Sequence, residues 1–302
     1  MRIILGYPSL NDPRGFIQVG QNRQSKIFSV GEEAAIFPCV MAWAATLLKR
    51  DGHEVRWLDG QTMGWSLERY LLSLKLWEPD LVCWEIKTPS ALQTYDAINR
   101  AKTLCPKTVF VLVGDHATAL PEEAPASCDY VLQGGDYDFA LHALVRALTS
   151  GKAVERIINF PTTLALDTLP IIDRTLCRWK DYSRMGNYLR RPGTHGYSAR
   201  DCWWRHEGGC TFCSWTNTYK NYRQLSVDQF MADVESAHAL GAREYFDDAG
   251  TFAPPGTWFD EAVSSLTRFN GGVRHQRAPI AFGCNDRPGA RTRVHYGQLA
   301  RA

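Results

Sequence analysis

The 302-residue chain carries 34 Lys plus Arg against 32 Asp plus Glu, a formal net charge of +2, and this balance gives no basis for broad electrostatic binding to nucleic acid or to an anionic membrane. With 45% hydrophobic and 22% charged residues it has the composition of a folded globular protein, long enough for two domains. No apolar run approaches the roughly 18–20 residues that span a bilayer. The N-terminal MRIILGYPSL lacks the apolar stretch and cleavage site of a signal peptide, so the chain reads as cytoplasmic. Its nine cysteines then read as metal ligands, catalytic groups or buried small hydrophobes, not disulfides.

Residues 1–150 alternate short β-branched runs with amphipathic stretches. Strands are expected at 2–6 (RIILG), 54–58 (EVRWL), 80–86 (DLVCWEI), 108–114 (TVFVLVG) and 130–132 (YVL). Helices are expected near 38–51, 66–77, 91–104 and 136–149, the first closing on Arg50-Asp51-Gly52, the second and third punctuated by Pro79 and Pro106. Such alternation predicts βαβ units, a parallel sheet and a flavodoxin-like strand order, the α/β doubly wound class. Ligands of that class bind beyond the carboxyl ends of the strands, here at Tyr7-Pro8-Ser9, EIKTPS (85–90), GDHAT (114–118) and GGDYD (134–138). No G-x-G-x-x-G follows the first strand, which disfavours NAD and FAD. A response-regulator-like or purely structural domain fits the same alternation.

Residues 151–193 are expected to connect two domains. They hold Pro161, Pro170 and Pro192 and the basic, aromatic run CRWKDYSRMGNYLRRPG (177–193), read as a solvated brace between domains in preference to a base-stacking surface.

The densest chemistry follows. HGYSARDCWWRHEGGCTFCSWTN (195–217) sets Cys202, Cys210 and Cys213 in a C-x₇-C-x₂-C pattern. A C-x₂-C pair puts two thiolates on one turn, and Gly208-Gly209 frees the backbone to bring a third around. The β-prone run 194–199 before them predicts a loop at a strand's carboxyl end, where barrel enzymes place their chemistry. Two metal readings stay open: a three-thiolate iron–sulfur cluster with one open iron, or a zinc site of Cys202, His206, Cys210 and Cys213 in a non-catalytic binding module.

Three stretches of the first half carry a family resemblance: GDHATALPEEA (114–124), DYVLQGGDYDFALHALVRAL (129–148) and LPIIDRTL (169–176). Together they resemble the cobalamin-binding domain that precedes many radical S-adenosylmethionine enzymes. CTFCSW (210–215), with aromatic Phe212 before the last cysteine, is similar to the end of that family's cysteine loop. The family's usual first gap is three residues, so 203–209 reads as a four-residue expansion. Its histidine-on-cobalt signature, D-x-H-x-x-G, is missing, since Asp115 and His116 are adjacent.

The resemblance implies corrinoid contacts at Pro8, Ser9, Thr88, Gly114, His116, Thr118, Gly134 and Gly135, with His116 shaping a loop or facing the corrin and not ligating cobalt. It implies a [4Fe–4S] cluster on Cys202, Cys210 and Cys213, and S-adenosylmethionine held by Phe212, Asp247, Asp248, Asn285 and Arg287. Asp247-Asp248 would close a second barrel strand (242–247), and Asn285 and Arg287 would follow a third (279–284). The bland alternatives are a helix cap for the aspartates and an ion pair for Arg287. The helix between these strands is expected to open at Ser226 as N-cap with Asp228 in its first turn and run to Leu240.

The domains implied are a cobalamin-binding-like unit at 1–150, the connector, and from 194 the N-terminal part of a partial βα barrel. Too few residues follow Cys213 for six barrel strands, so the chain is expected to be a C-terminally truncated piece or one completed by another chain. The implied activity is reductive cleavage of S-adenosylmethionine followed by methyl transfer to, or rearrangement of, an unactivated carbon, with or without cobalamin. An external electron donor such as flavodoxin or ferredoxin and an unidentified small-molecule or peptide substrate are the implied partners.

Overall fold

The computed structural model describes residues 1–302 apart from 13–14, 18–26, 29–35, 162, 184–187, 214, 274–277 and 288. Six parallel strands form the first sheet: β1 (Arg2–Tyr7), β2 (Glu54–Asp59), β3 (Leu81–Glu85), β4 (Val109–Val113), β5 (Tyr130–Gln133) and β6 (Ile157–Asn159), in spatial order β2-β1-β3-β4-β5-β6. The first five follow the expected flavodoxin-like order. β3 is buried throughout, as a central parallel strand covered on both faces must be. Helices α1 (Cys39–Arg50) and α5 (Tyr137–Thr149) pack together, as do α2 (Leu67–Trp77) and α3 (Ala91–Leu104), while the short α4 (Asp115–Ala119) lies against β5. Ser66 caps α2 by accepting from the Arg69 amide at 3.2 Å.

α1 is buried on every side from Cys39 to Leu48, which marks a helix enclosed by protein and not a surface stripe. Trp43 shows why: its indole N–H donates to the Pro170 carbonyl at 3.0 Å, and its ring lies 6.3 Å from that of Tyr197. α1 is thus shared by both halves of the molecule.

The stretch 151–193 departs from expectation in two ways. Ile157–Asn159 adds a sixth strand to the sheet, in register Val131↔Ile157. The rest is not solvated throughout: Arg174, Cys177, Trp179, Tyr182 and Tyr188 are all buried. In the run 177–193, Arg178, Lys180, Arg190 and Arg191 do face solvent, while Trp179, Tyr182 and Tyr188 turn inward; just ahead of it, Arg174 is buried in a two-pronged pair with Asp233 at 2.7 and 2.6 Å. Such a guanidinium is hidden only with its charge matched.

The second sheet is parallel, β7 (Gly193–Gly196), β8 (Glu244–Asp247) and β9 (Ala281–Cys284), with α6 (Val227–Ala239) and α7 (Thr257–Val273) as its crossovers and α8 (Arg293–Arg301) after it. These are successive βα units of an incomplete barrel. Ser226 caps α6 by accepting from the Gln229 amide. Phe230, Tyr245, Phe252 and Phe282 interlock between α6 and the sheet. Gly196, Asp247 and Cys284 lie side by side at the carboxyl edge, which fixes where the following loops start. Among the described residues no helix is long and apolar enough to cross a membrane.

Candidate functional site

The loops at the carboxyl edges of the two sheets meet, and the expected site residues fall on both sides of that contact. In the first half, the edge rests on a buried polar network. Glu85, ending β3, accepts from Tyr7 at 2.7 Å and Tyr137 at 3.1 Å on one oxygen, and pairs through the other with Lys87 at 3.2 Å. Lys87 also reaches Asp115 at 2.6 Å. Burial opposes the Lys87 charge, but Glu85 and Asp115 outweigh it and raise the ammonium pKa. Burial, reinforced by Glu85, keeps Tyr7 and Tyr137 protonated as donors.

Of the expected corrinoid contacts, His116 is fixed through both ring nitrogens, Nδ1 to Thr88 Oγ1 at 3.1 Å and Nε2 to Tyr95 Oη at 3.0 Å. Both ring nitrogens are thus engaged, which ties the turn after β4 to the segments after β3. Thr118 accepts from the Gly134 amide at 2.9 Å and donates to the Gly114 carbonyl at 2.7 Å, so it staples the turns after β4 and β5 together. Pro8 and Ser9 are buried at the end of β1, and the Ser9 hydroxyl has no hydrogen-bond partner among the described residues. Gly135 is obligatory: a Cβ there would lie 2.2 Å from the Tyr219 ring. Gly114 and Gly134 turn at positive φ, and around Gly134 the nearest atom to an added Cβ is 3.9 Å away. Gly114 and Gly135 are closely packed and only Gly134 borders open space, a glycine edge whose chemistry fits a corrinoid approached by backbone and not by an imidazole.

In the second half, Cys202 leaves the ribbon in which Ala199–Arg200 pairs with Arg223–Gln224. Residues 203–207 form a 3₁₀ turn, and Gly208 and Gly209 then take positive φ values of 102° and 70° that side chains resist. The Cys213 amide donates to the Cys210 carbonyl at 3.1 Å, the expected tight turn. Cys210 and His206 are exposed; Cys202 and Cys213 are half-buried. The three thiols share one loop without converging on one point, since no three His, Cys, Asp or Glu among the described residues lie close enough to hold a metal ion. The donor set, three thiolates on a glycine-hinged loop, fits an iron–sulfur cluster, with His206 exposed on the same loop.

The expansion after Cys202 anchors the loop. Trp203 donates to the Phe252 carbonyl at 3.0 Å, Trp204 lies under the Arg287 guanidinium at 3.2 Å from the ring centre, and Arg205 pairs with Asp201. Arg287, expected near a carboxylate ligand, thus sits on the cysteine loop. Asp247 is fully buried and accepts from both the amide (2.7 Å) and hydroxyl (2.6 Å) of Ser198, tying β8 to the segment after β7. Burial raises its pKa to about 6. Asp248 is the better ligand candidate: it sits between Tyr197 (3.4 Å) and Asn285 (3.3 Å), which brings together the ends of all three barrel strands. Phe212, next to Cys213, is 89% exposed.

Charge pairs seal the junction. Arg200, with no exposed surface, bonds Asp136 at 2.8 Å and Asp138 at 2.6 and 3.1 Å, and Arg223 adds a contact to Asp136 at 2.5 Å. Sequence reasoning set Glu85 and Lys87 in a strand-end segment, EIKTPS, without a role of their own, and passed over Arg200 and Thr218. The only local signals were charged residues closing apolar strands, as in LVCWEIK.

No protein-family model matches the chain. It is 23% identical over 235 residues to an uncharacterized methyltransferase of Pyrococcus horikoshii, an alignment covering 71% of this chain and 49% of that protein. Among solved structures it resembles the radical S-adenosylmethionine methyltransferase TsrM of Kitasatospora setae with cobalamin and a [4Fe–4S] cluster bound (TM-score 0.66, 15% identity, 99% of this chain and 56% of that one). It also resembles the cobalamin-dependent radical enzyme OxsB with aqua-cobalamin and S-adenosylmethionine bound (TM-score 0.64, 14% identity, 93% and 38%). The chain therefore has the fold of the cobalamin-dependent radical S-adenosylmethionine enzymes. It spans about half the length of the curated relative it matches.

Proposed function

We propose that this chain carries the corrinoid- and cluster-binding part of a cobalamin-dependent radical S-adenosylmethionine enzyme, with methyl transfer to, or rearrangement of, an unactivated carbon as its outcome. The observation that supports this most is the apposition of the glycine turns after β4 and β5 with the segment following Cys213, joined by the Gly135 amide donating to the Thr218 carbonyl at 2.9 Å. When bound, the cofactors supply the reductive cleavage and the methyl carrier. The chain's own part is placement. Cys202, Cys210 and Cys213 hold the cluster; Asp248, oriented by Asn285 and Tyr197, accepts from the methionine ammonium group. Gly114, Thr118, Gly134 and Gly135 line the corrinoid, and His116 holds their loop. Asp247 and Arg287 support the site through Ser198 and Trp204.

Anaerobic reconstitution with iron and sulfide tests the cluster, and co-elution of hydroxocobalamin in gel filtration tests the corrinoid. A brown protein with a broad band at about 400 nm, lost in the Cys202/Cys210/Cys213 triple Ala variant, is expected. A brown protein that never retains cobalamin would point to a radical enzyme without it.

A further inference from the structure

The four-residue helix Trp215–Thr218 begins two residues after Cys213 and touches both halves of the site. On the corrinoid side, the Thr218 carbonyl accepts from the Gly135 amide at 2.9 Å, and its hydroxyl donates to Asp115 at 3.2 Å. Asp115 is in turn fixed by Lys87 at 2.6 Å, and Lys87 by Glu85. Tyr219 fills the space beside Gly135. On the cluster side, an added Cβ on Gly250 would lie 2.9 Å from Cys202 Cβ and 3.0 Å from the Trp215 indole nitrogen, so this helix and the first cysteine crowd the same turn after β8. Trp215 also packs on Tyr197, which bonds Asp248. One short helix is therefore a wall of both sites, and it cannot shift for one without moving the other.

We infer that Thr218 is a positioning residue that couples the two sites: ordering the cysteine loop around its cluster sets the turns after β4 and β5 for the corrinoid, and corrinoid binding steadies the cysteine loop. This rests on the function proposed above. Coupling between binding sites is reciprocal, so either ligand reports it.

The test is hydroxocobalamin affinity, measured anaerobically by fluorescence quenching on cluster-loaded and cluster-free full-length protein. The cluster is expected to tighten binding by about fivefold or more. Thr218→Val removes the hydroxyl's bond to Asp115, a loss equivalent to about a factor of five. It should collapse that ratio toward one whatever it does to the cluster-free affinity, with iron content measured alongside; Thr218→Ser should restore the ratio. In the reciprocal measurement, cobalamin should slow iron loss to a chelator in wild type and not in Thr218→Val. Equal cobalamin affinity with and without cluster overturns the coupling while leaving the proposed function intact. Coupling that survives in Thr218→Val overturns the role of Thr218. Absence of any cobalamin binding removes both the coupling and the function on which it rests.

Discussion

Arg200 and Asp138 form a two-pronged ion pair, 2.6 and 3.1 Å, in which neither side chain has exposed surface, and the pair joins the first turn of α5 to the segment that leads into Cys202. Burial opposes the guanidinium's charge, yet Asp138 outweighs it and raises its pKa. Removing one partner of such a pair strands the other in a dry junction, at a cost of about 3–5 kcal/mol. Arg200→Ala should lower unfolding stability by that order in urea titration, whereas Arg223→Ala, at the wetter rim, should cost far less.

Two buried groups make stability depend on pH with opposite signs. His195 accepts from or donates to Tyr188 at 2.5 Å, and burial, then Arg174, lowers its pKa to about 3. The unfolded chain binds that proton near pH 6.5, so His195 removes stability as pH falls from there toward 3. Asp247 behaves in reverse: its folded pKa of about 6 exceeds the unfolded value, so it removes stability as pH rises from about 4 to 6. On acidification from pH 7 to 4.5, the stability gap between wild type and His195→Gln should narrow. The gap between wild type and Asp247→Asn should move the other way by about 2 kcal/mol or less. Parallel pH profiles for all three proteins would contradict both assignments.

The Arg287–Trp204 contact predicts local effects without global ones. A guanidinium on an indole face contributes about 0.5–2 kcal/mol. Arg287→Ala should speed amide exchange in residues 203–209 and leave the exchange of β1, β3 and β4 unchanged. Unaltered exchange in 203–209 would show that the stacking does not hold the loop.

His116 is predicted not to ligate cobalt, because Thr88 and Tyr95 occupy both of its ring nitrogens. In the cob(II)alamin-loaded protein, the paramagnetic resonance spectrum should lack nitrogen splitting from an axial imidazole, and His116→Ala should weaken binding by loosening the loop without changing the spectrum. A nitrogen-split signal that vanishes in His116→Ala would reverse the assignment.

The flavodoxin-like sheet was legible in the sequence because each buried strand is an unbroken apolar run and each helix has clear punctuation, such as Pro79 and Pro106. The cysteine loop was legible because it is local: spacing alone defines a turn and a hinge. What stayed hidden is long-range charge matching. Arg174 and Asp233 lie 59 positions apart, and Arg200 and Asp138 lie 62 apart, so nothing local marked these arginines as interior, nor the aromatics of 177–193 as buried beside exposed cations. The weak strand Ile157–Asn159 has no period of its own and exists because β5 offers an edge. Asp247 and Asp248 are equivalent in sequence; only the fold turns one onto Ser198 and the other toward Asn285.

The central claim is that Cys202, Cys210 and Cys213 hold an iron–sulfur cluster, and metal and sulfide analysis of anaerobically reconstituted protein tests it most directly. About four iron and four sulfide per chain are expected, falling to background in the triple Ala variant. One zinc per chain with no iron, retained by the wild type and lost in His206→Ala, would contradict it.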